Sequence, residues 1–307
     1  MSQNPTMSLA EANRKFFDSI GDAYDSKPWF AKVNQLLTDN LRNRLDWIGI
    51  PFVNTGSNSS PEEIRFLDYA CGPGLMSRIF GPYVTISRGI DIAPNMVETY
   101  NKRAREFNLP PETVNAVLGD LFSNPQNPPQ SDPEFTNFDL AAVGMGFHHF
   151  EDVVYAAKCL KERLKPGGVL VITDFLDGGD LKADEEGNPI EGTEGNHVSQ
   201  NHHHGHGHHG HREHHEHGHG GQSQGKPKEA EGDPTLPVRK EMNNSIVVYA
   251  FSVEGVKKFF TEAGFVEVDV KVIPERVYMN FAGTHVWRTI LLAKGRRPFE
   301  EKERSEL

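Results

Sequence analysis

Five short apolar runs separated by amphipathic stretches constrain this chain more than any other feature of its sequence. The runs occupy residues 64–69, 83–92, 113–118, 138–144 and 169–175, and the stretches between them, notably 95–107 and 152–164, carry apolar residues at helical spacing. A strand that is apolar at successive positions offers no face to water, so both of its faces must be covered. Strand–helix alternation of this kind predicts an α/β fold with a mostly parallel sheet and helices on both faces. Two more strands are expected at 265–273 and 284–293, which makes seven. The first of them follows a helix over 252–263 that Ser252 would cap at its start and Gly264 at its end.

The flanks read differently. Residues 1–52 predict a helical lid: Ser8 and Glu11 form a capping box, Phe16, Phe17 and Ile20 follow as an apolar stripe, and Val33, Leu36, Leu37, Leu41 and Leu45 form a second. Turn-forming residues at 53–63 predict a linker into a core over 64–176, and the Pro/Asn-rich stretch 123–137 predicts a surface loop before the fourth strand. Residues 177–242 are rich in Gly, Asp, Glu and Pro and then in His, Gly and Glu. Such a segment buries too little apolar surface to offset chain entropy, so it is expected to be disordered. Order should return for 243–295, and the charged tail 296–307 should fray.

Only 36% of the 307 residues are hydrophobic, which fits one packed region with extended solvated segments. The net charge of −11 opposes a polyanion, and no basic stripe is present, so nucleic acid is an unfavoured partner. Two cysteines, Cys71 and Cys159, imply no disulfide framework and suit a reducing compartment, cytoplasmic or nuclear. No apolar stretch reaches the roughly 18–20 residues of a membrane span, and the first ten residues lack a signal-type apolar core.

The segment Phe66-Leu-Asp68-Tyr-Ala70-Cys-Gly72-Pro-Gly74 carries the chemistry. A strand runs into a glycine turn and then a helix, an arrangement that lets backbone approach a ligand closely. Asp91, at the end of the next strand, can accept hydrogen bonds from both hydroxyls of a ribose. Gly72-x-Gly74-x-x-Ser77 also resembles a degraded dinucleotide fingerprint. Asp68 weighs against that reading, because an acid before the turn repels a pyrophosphate and suits a ligand with a cationic amino-acid moiety. Cys71 reads as a small buried residue and Met96 as helix packing.

In series, these motifs resemble those of class I S-adenosylmethionine-dependent methyltransferases, in the group that acts in ubiquinone and menaquinone biosynthesis. Leu67-Asp68-Tyr-Ala70-Cys-Gly72-Pro-Gly74 is similar to the family's first motif, with Ala70 where glycine is usual, and Gly89-Ile-Asp91-Ile92 is similar to its ribose-binding motif. Leu118-Gly-Asp120-Leu121-Phe122 resembles the adenine turn, with Asp120 meeting the amino group and Leu121 the ring. The fourth strand with its exit, Gly144-Met-Gly-Phe-His148-His149, and the turn Lys165-Pro-Gly-Gly168 complete the series. The resemblance implies a Rossmann-like seven-stranded sheet with an N-terminal lid, S-adenosyl-L-methionine as cofactor, and a small-molecule methyl acceptor. Tyr24 resembles the family's lid element.

Methyl transfer is an in-line displacement, so a base is required only where the acceptor must lose a proton. His148, His149 and Asp174 lie at the carboxyl ends of the fourth and fifth strands and are the catalytic candidates, with His148 favoured as base. Twelve of the fifteen histidines fall within 197–219. His202, His203, His204, His206, His208 and His209 could bind Zn²⁺, Ni²⁺ or Cu²⁺ in a labile, non-catalytic way, because they lack one fixed spacing. The segment could equally be a solvated expansion, or a flap over the substrate. The alternative to an enzyme is a catalytically silent protein of the same fold whose His-rich arm binds metal. Neither the acceptor nor the oligomeric state is legible in the sequence.

Overall fold

A computed structural model describes residues 8–20, 28–56, 63–122, 132–198, 245–281 and 284–300. Two N-terminal helices, α1 (Leu9–Ile20) and α2 (Pro28–Arg42), precede one further turn, α3 (Leu45–Ile48). The sheet strands and helices then alternate: β1 (Arg65–Tyr69), α4 (Leu75–Phe80), β2 (Ile86–Asp91), α5 (Pro94–Glu106), β3 (Val114–Leu118), β4 (Phe138–Gly144), α6 (Val153–Arg163) and β5 (Leu164–Phe175). After β6 (Leu181–Lys182) come α7 (Val253–Glu262), β7 (Val266–Val272), β8 (Val277–Phe281), β9 (Thr284–Arg288) and β10 (Ile290–Arg296).

Seven strands form one sheet in the order β3-β2-β1-β4-β5-β10-β7. The first five are parallel, and β10 runs antiparallel to both its neighbours. The fold is therefore the seven-stranded, mostly parallel Rossmann-like sheet expected. Its two-residue period divides the core into two layers. Phe66, Leu140 and Leu292 face the cluster that holds Leu37 and Leu41 of α2 and Phe80 of α4. Leu67, Ala141 and Leu291 face the other, with Leu160 of α6 and Phe260 of α7. Caps match the local chemistry: Ser8, Asp152 and Ser252 each accept a backbone N–H three residues on.

Three expectations are corrected. The stretch 284–293 is not one strand: β9 joins a separate three-stranded sheet, β6-β9-β8, and β10 joins the main one. The chain changes sheet at Thr289, whose hydroxyl donates to the Gly179 carbonyl at 2.7 Å. Nor does order end at residue 176. Residues 177–198 pack on the core, with Leu181 and Val198 buried, and Asp180 forms a buried ion pair with Arg288 at 3.1 Å. His197, the first histidine of the tract, belongs to this ordered part, its ring bonded to the Thr193 carbonyl. The charged tail also begins in contact. Arg297 exchanges backbone hydrogen bonds with Gly167 and Gly168. The remainder of the insertion, the rest of the tail, much of the loop before β4 and the middle of the 53–63 linker lie outside the described residues.

Candidate active site

The order of the strands reverses between β1 and β4, and in open α/β sheets a ligand crevice forms beyond the carboxyl ends at such a point. A cleft of about 400 Å³ opens there, within the range of small-molecule sites. It is lined by the ends of β1, β2 and β4, by the turn after β3, by the start of α6, and by Leu9, Ala10, Asn13 and Phe17 of α1, which covers it. α1 is held in place at two points. Asp18 accepts the Asn95 N–H at the start of α5 at 2.9 Å, and the Asn13 amide donates to the His149 carbonyl at 3.3 Å.

Of the residues expected from sequence, Ala70, Asp91, Ile92, Asp120, Gly144 and His149 line this cleft together. Asp91 accepts the Gly72 N–H at 2.8 Å and the Ala93 N–H at 2.9 Å, so its carboxylate is fixed across the turn. Burial raises its pKa to about 6 against those bonds. A carboxylate has about four lone-pair positions, and the two amides leave part of that capacity for ligand hydroxyls. Asp120 is oriented by the Tyr69 hydroxyl at 3.2 Å and the Phe122 N–H at 2.9 Å. Tyr69, Phe122 and Phe150 form an aromatic wall with centroids 4.9–5.9 Å apart, and Tyr155 extends it. A fixed acid at the end of β2 and an aromatic wall beside a second acid suit a ribose and a purine, so the donor set fits S-adenosylmethionine.

The other expected residues do not line the cleft. Asp68 points under α4, where its carboxylate accepts the Ser77 N–H at 2.9 Å and the Ser77 hydroxyl at 2.8 Å. Tyr100 donates to the same Ser77 hydroxyl at 2.7 Å. Asp68 is thus placed to hold the glycine turn from behind. Gly74, at φ +88°, is required by Tyr100, since a Cβ would stand 2.8 Å from its ring. Gly72 acts through its bond to Asp91. Leu121 is buried in the core, and Phe122 takes the place at the cleft that the sequence suggested for it, because the turn after Asp120 breaks the strand alternation. Ala70 adopts φ +52°, a left-handed conformation that favours glycine. Tyr24 and His202, His203, His204, His206, His208 and His209 lie outside the described residues. Among the described residues no group of three or more side chains could hold a metal ion.

Burial raises the Asp68 pKa to about 7 from an ordinary 3.8. Between those values the folded state binds the extra proton, so Asp68 favours the fold below pH 4 and that contribution is lost as pH rises through 7. Asp68→Asn should therefore flatten the fall of melting temperature between pH 5 and 8. Parallel curves for variant and wild type would contradict this.

His148 and His149 separate into different roles. The His148 ring is buried, with Nδ1 2.9 Å from Asp174 Oδ1, and the His148 backbone N–H donates to Asp174 Oδ2 at 3.1 Å. Asp174, fully buried, also accepts the Phe175 N–H at 2.8 Å. These two residues build the turn after β4 and do not reach the cleft. His149 does reach it, packed edge-on against Phe17 at 5.0 Å. Burial, with His148 alongside, holds the His149 pKa well below the usual imidazole range. Cys71 is buried with Tyr100 and Ala116, and burial pushes its thiol well above the usual range.

A family profile described as a methyltransferase domain matches residues 26–220, more than half of the chain. The chain belongs to this methyltransferase family. An uncharacterized methyltransferase of Schizosaccharomyces pombe is 38% identical over 120 residues, 38% of this chain and 40% of that protein. The demethylmenaquinone methyltransferase of Staphylococcus aureus is 32% identical over 111 residues, 35% of this chain and 41% of that one. The chain thus spans about two fifths of these curated relatives. Among solved structures, phosphoethanolamine N-methyltransferase 2 of Haemonchus contortus, bound to phosphomonomethylethanolamine and S-adenosylhomocysteine, superposes with a TM-score of 0.52. It is 12% identical and covers 96% of this chain and 61% of that one. The [4+2]-cyclase SpnF superposes at 0.53 with 14% identity, covering 95% of this chain and 97% of that one. At such identity these likenesses speak to the methyltransferase fold, and the cyclase shows that this fold also hosts other chemistry.

Proposed function

We propose that this protein transfers a methyl group from S-adenosylmethionine to a small-molecule acceptor, and that His149 rather than His148 is the base where the acceptor must lose a proton. The observation that carries the reading is the cleft itself, which Asp91, Asp120, Phe122 and His149 line together. Asp91 would hold the ribose hydroxyls, Asp120 and the aromatic wall the adenine, and the exits of β1 and β4 the remainder. When bound, S-adenosylmethionine supplies an electrophilic methyl carbon on a sulfonium. The chain's own part is to align the acceptor with that carbon and to exclude water, which α1 does by covering the cleft. The apolar lining from Phe17, Met145 and Phe150 suits an acceptor with an apolar body. That is compatible with the demethylmenaquinone named for the Staphylococcus aureus relative. The net charge of −11 disfavours nucleic acid as acceptor. Among the described residues no helix is long and apolar enough to cross a membrane.

His149 Nδ1 lies 2.7 Å from the Ser245 carbonyl oxygen, an atom that only accepts. The ring proton therefore sits on Nδ1, and Nε2 carries the lone pair. His149→Gln should lower kcat about 100-fold, within the range for loss of a general base. Because the His149 pKa is depressed, the neutral, active form persists to low pH, and the acid limb of the wild-type rate profile should lie well below pH 6.5. An unchanged kcat in the variant would return the choice of base to the acceptor itself. The transfer is tested by incubating the protein with methyl-tritiated S-adenosylmethionine and a metabolite extract of the source cells. Labelled small-molecule product is expected. Label confined to S-adenosylmethionine, with no bound S-adenosylhomocysteine, would favour a catalytically silent protein of the same fold.

A further inference from the structure

We infer that the segment closing the insertion, Ser245 to Val248, positions the proton of His149, so that the return arm of the insertion prepares the base. The inference rests on the assignment of His149 above. Three hydrogen bonds tie this segment to the turn after β4. His149 Nδ1 donates to the Ser245 carbonyl at 2.7 Å, and the Val247 and Val248 N–H groups both approach the His148 carbonyl, at 2.9 and 3.3 Å. Ser245 is fully buried, whereas Val247 is 39% exposed, so the arm presses its inner edge on the histidine turn and leaves the outer edge in solvent.

A neutral imidazole has two tautomers, and the partner of one nitrogen decides the state of the other. A carbonyl at Nδ1 demands a donor there and leaves Nε2 as the acceptor. Other contacts fix the turn but not its proton. Asn13 donates to the His149 carbonyl, Phe17 packs on the ring, and Asp174 holds His148. Among the described residues, the Ser245 carbonyl is the hydrogen-bond partner found at the His149 ring nitrogens. The arm is in turn secured to the core by Arg288, which donates to the Tyr249 carbonyl at 2.8 Å and pairs with Asp180 on the outgoing arm. Both ends of the insertion thus meet at one buried arginine. Ser245 is accordingly a positioning residue: it acts through His149.

The test is long-range ¹H–¹⁵N NMR of the full-length protein at pH 7, with the His149 signals assigned by their loss in His149→Gln. The wild-type ring should show the Nδ1–H tautomer, with Nε2 resonating as an unprotonated nitrogen. Val247→Pro removes one donor of the arm at an exposed position. It should convert the ring to a tautomer mixture and lower kcat about tenfold while leaving the KM for S-adenosylmethionine within twofold. A wild-type ring in the Nε2–H form, or a cationic one, overturns the inference without any variant, and so does a Val247→Pro protein that keeps both the Nδ1–H tautomer and its kcat. A correct tautomer with full activity in His149→Gln would instead overturn the assignment of the base.

Discussion

Replacing Asp91 with alanine is expected to weaken S-adenosylhomocysteine binding by about three orders of magnitude in calorimetry. Hydrogen bonds to a charged group are each worth about 1.5–3 kcal/mol, and in the proposed binding mode this carboxylate accepts from two ribose hydroxyls. The same substitution leaves the Gly72 and Ala93 N–H groups without their acceptor, so the turn loses its shape as well as its ligand contact. Asp91→Asn separates the two effects. An amide keeps one acceptor oxygen and should retain part of the affinity, so the order wild type, Asn, Ala is expected. If alanine bound as tightly as wild type, the nucleotide would not sit beside β2.

The second large effect concerns stability. Asp180 and Arg288 are both buried, and Arg288 also stacks its guanidinium 3.6 Å from the centroid of the Phe175 ring. Burial raises the Asp180 pKa and lowers that of Arg288, in each case against the pull of the partner. Desolvation of both groups opposes their attraction, so little net stability is expected from the pair as a pair. Removing one partner is another matter, because it strands a buried charge. Asp180→Ala should destabilise the protein by about 3–5 kcal/mol, which is on the order of 10 °C in melting temperature for a chain of this size. The double variant Asp180→Ala/Arg288→Met should recover most of the loss. Additive losses would mean that the pair stabilises on its own account.

Sequence pattern revealed the sheet well because its signal is local. The runs at 64–69, 113–118 and 138–144 are rich in apolar residues, and each is a strand within a residue or two of its expected bounds. Asp91 and Asp120 were legible as edge residues because a strand end lies next to them in the chain. What the sequence hid is long-range. Residues 177–198 have the composition of a solvated segment, and the structure holds them by the Asp180–Arg288 pair, whose members are far apart in sequence. The break at Thr289 was hidden because a single residue separates β9 from β10, so the two read as one run in the sequence. Asp68 illustrates a different limit. Its position before the glycine turn suggested contact with ligand, but strand alternation turned it toward Ser77 and left Tyr69 facing the cleft. His148 and His149 are likewise indistinguishable in the sequence, and only the tight turn after β4 sends one to Asp174 and the other to the cleft. Asn13 and Phe17 carry no signal beyond an amphipathic helix; their place at the site depends on how α1 docks on α5.

A crystal structure of the protein grown with S-adenosylhomocysteine tests the central claim most directly. The ribose hydroxyls should lie within hydrogen-bond distance of Asp91, the adenine against Phe122 near Asp120, and the sulfur toward His149 in the same crevice. Nucleotide bound elsewhere, or a crevice filled by the side chains of α1 at saturating nucleotide, would contradict the account.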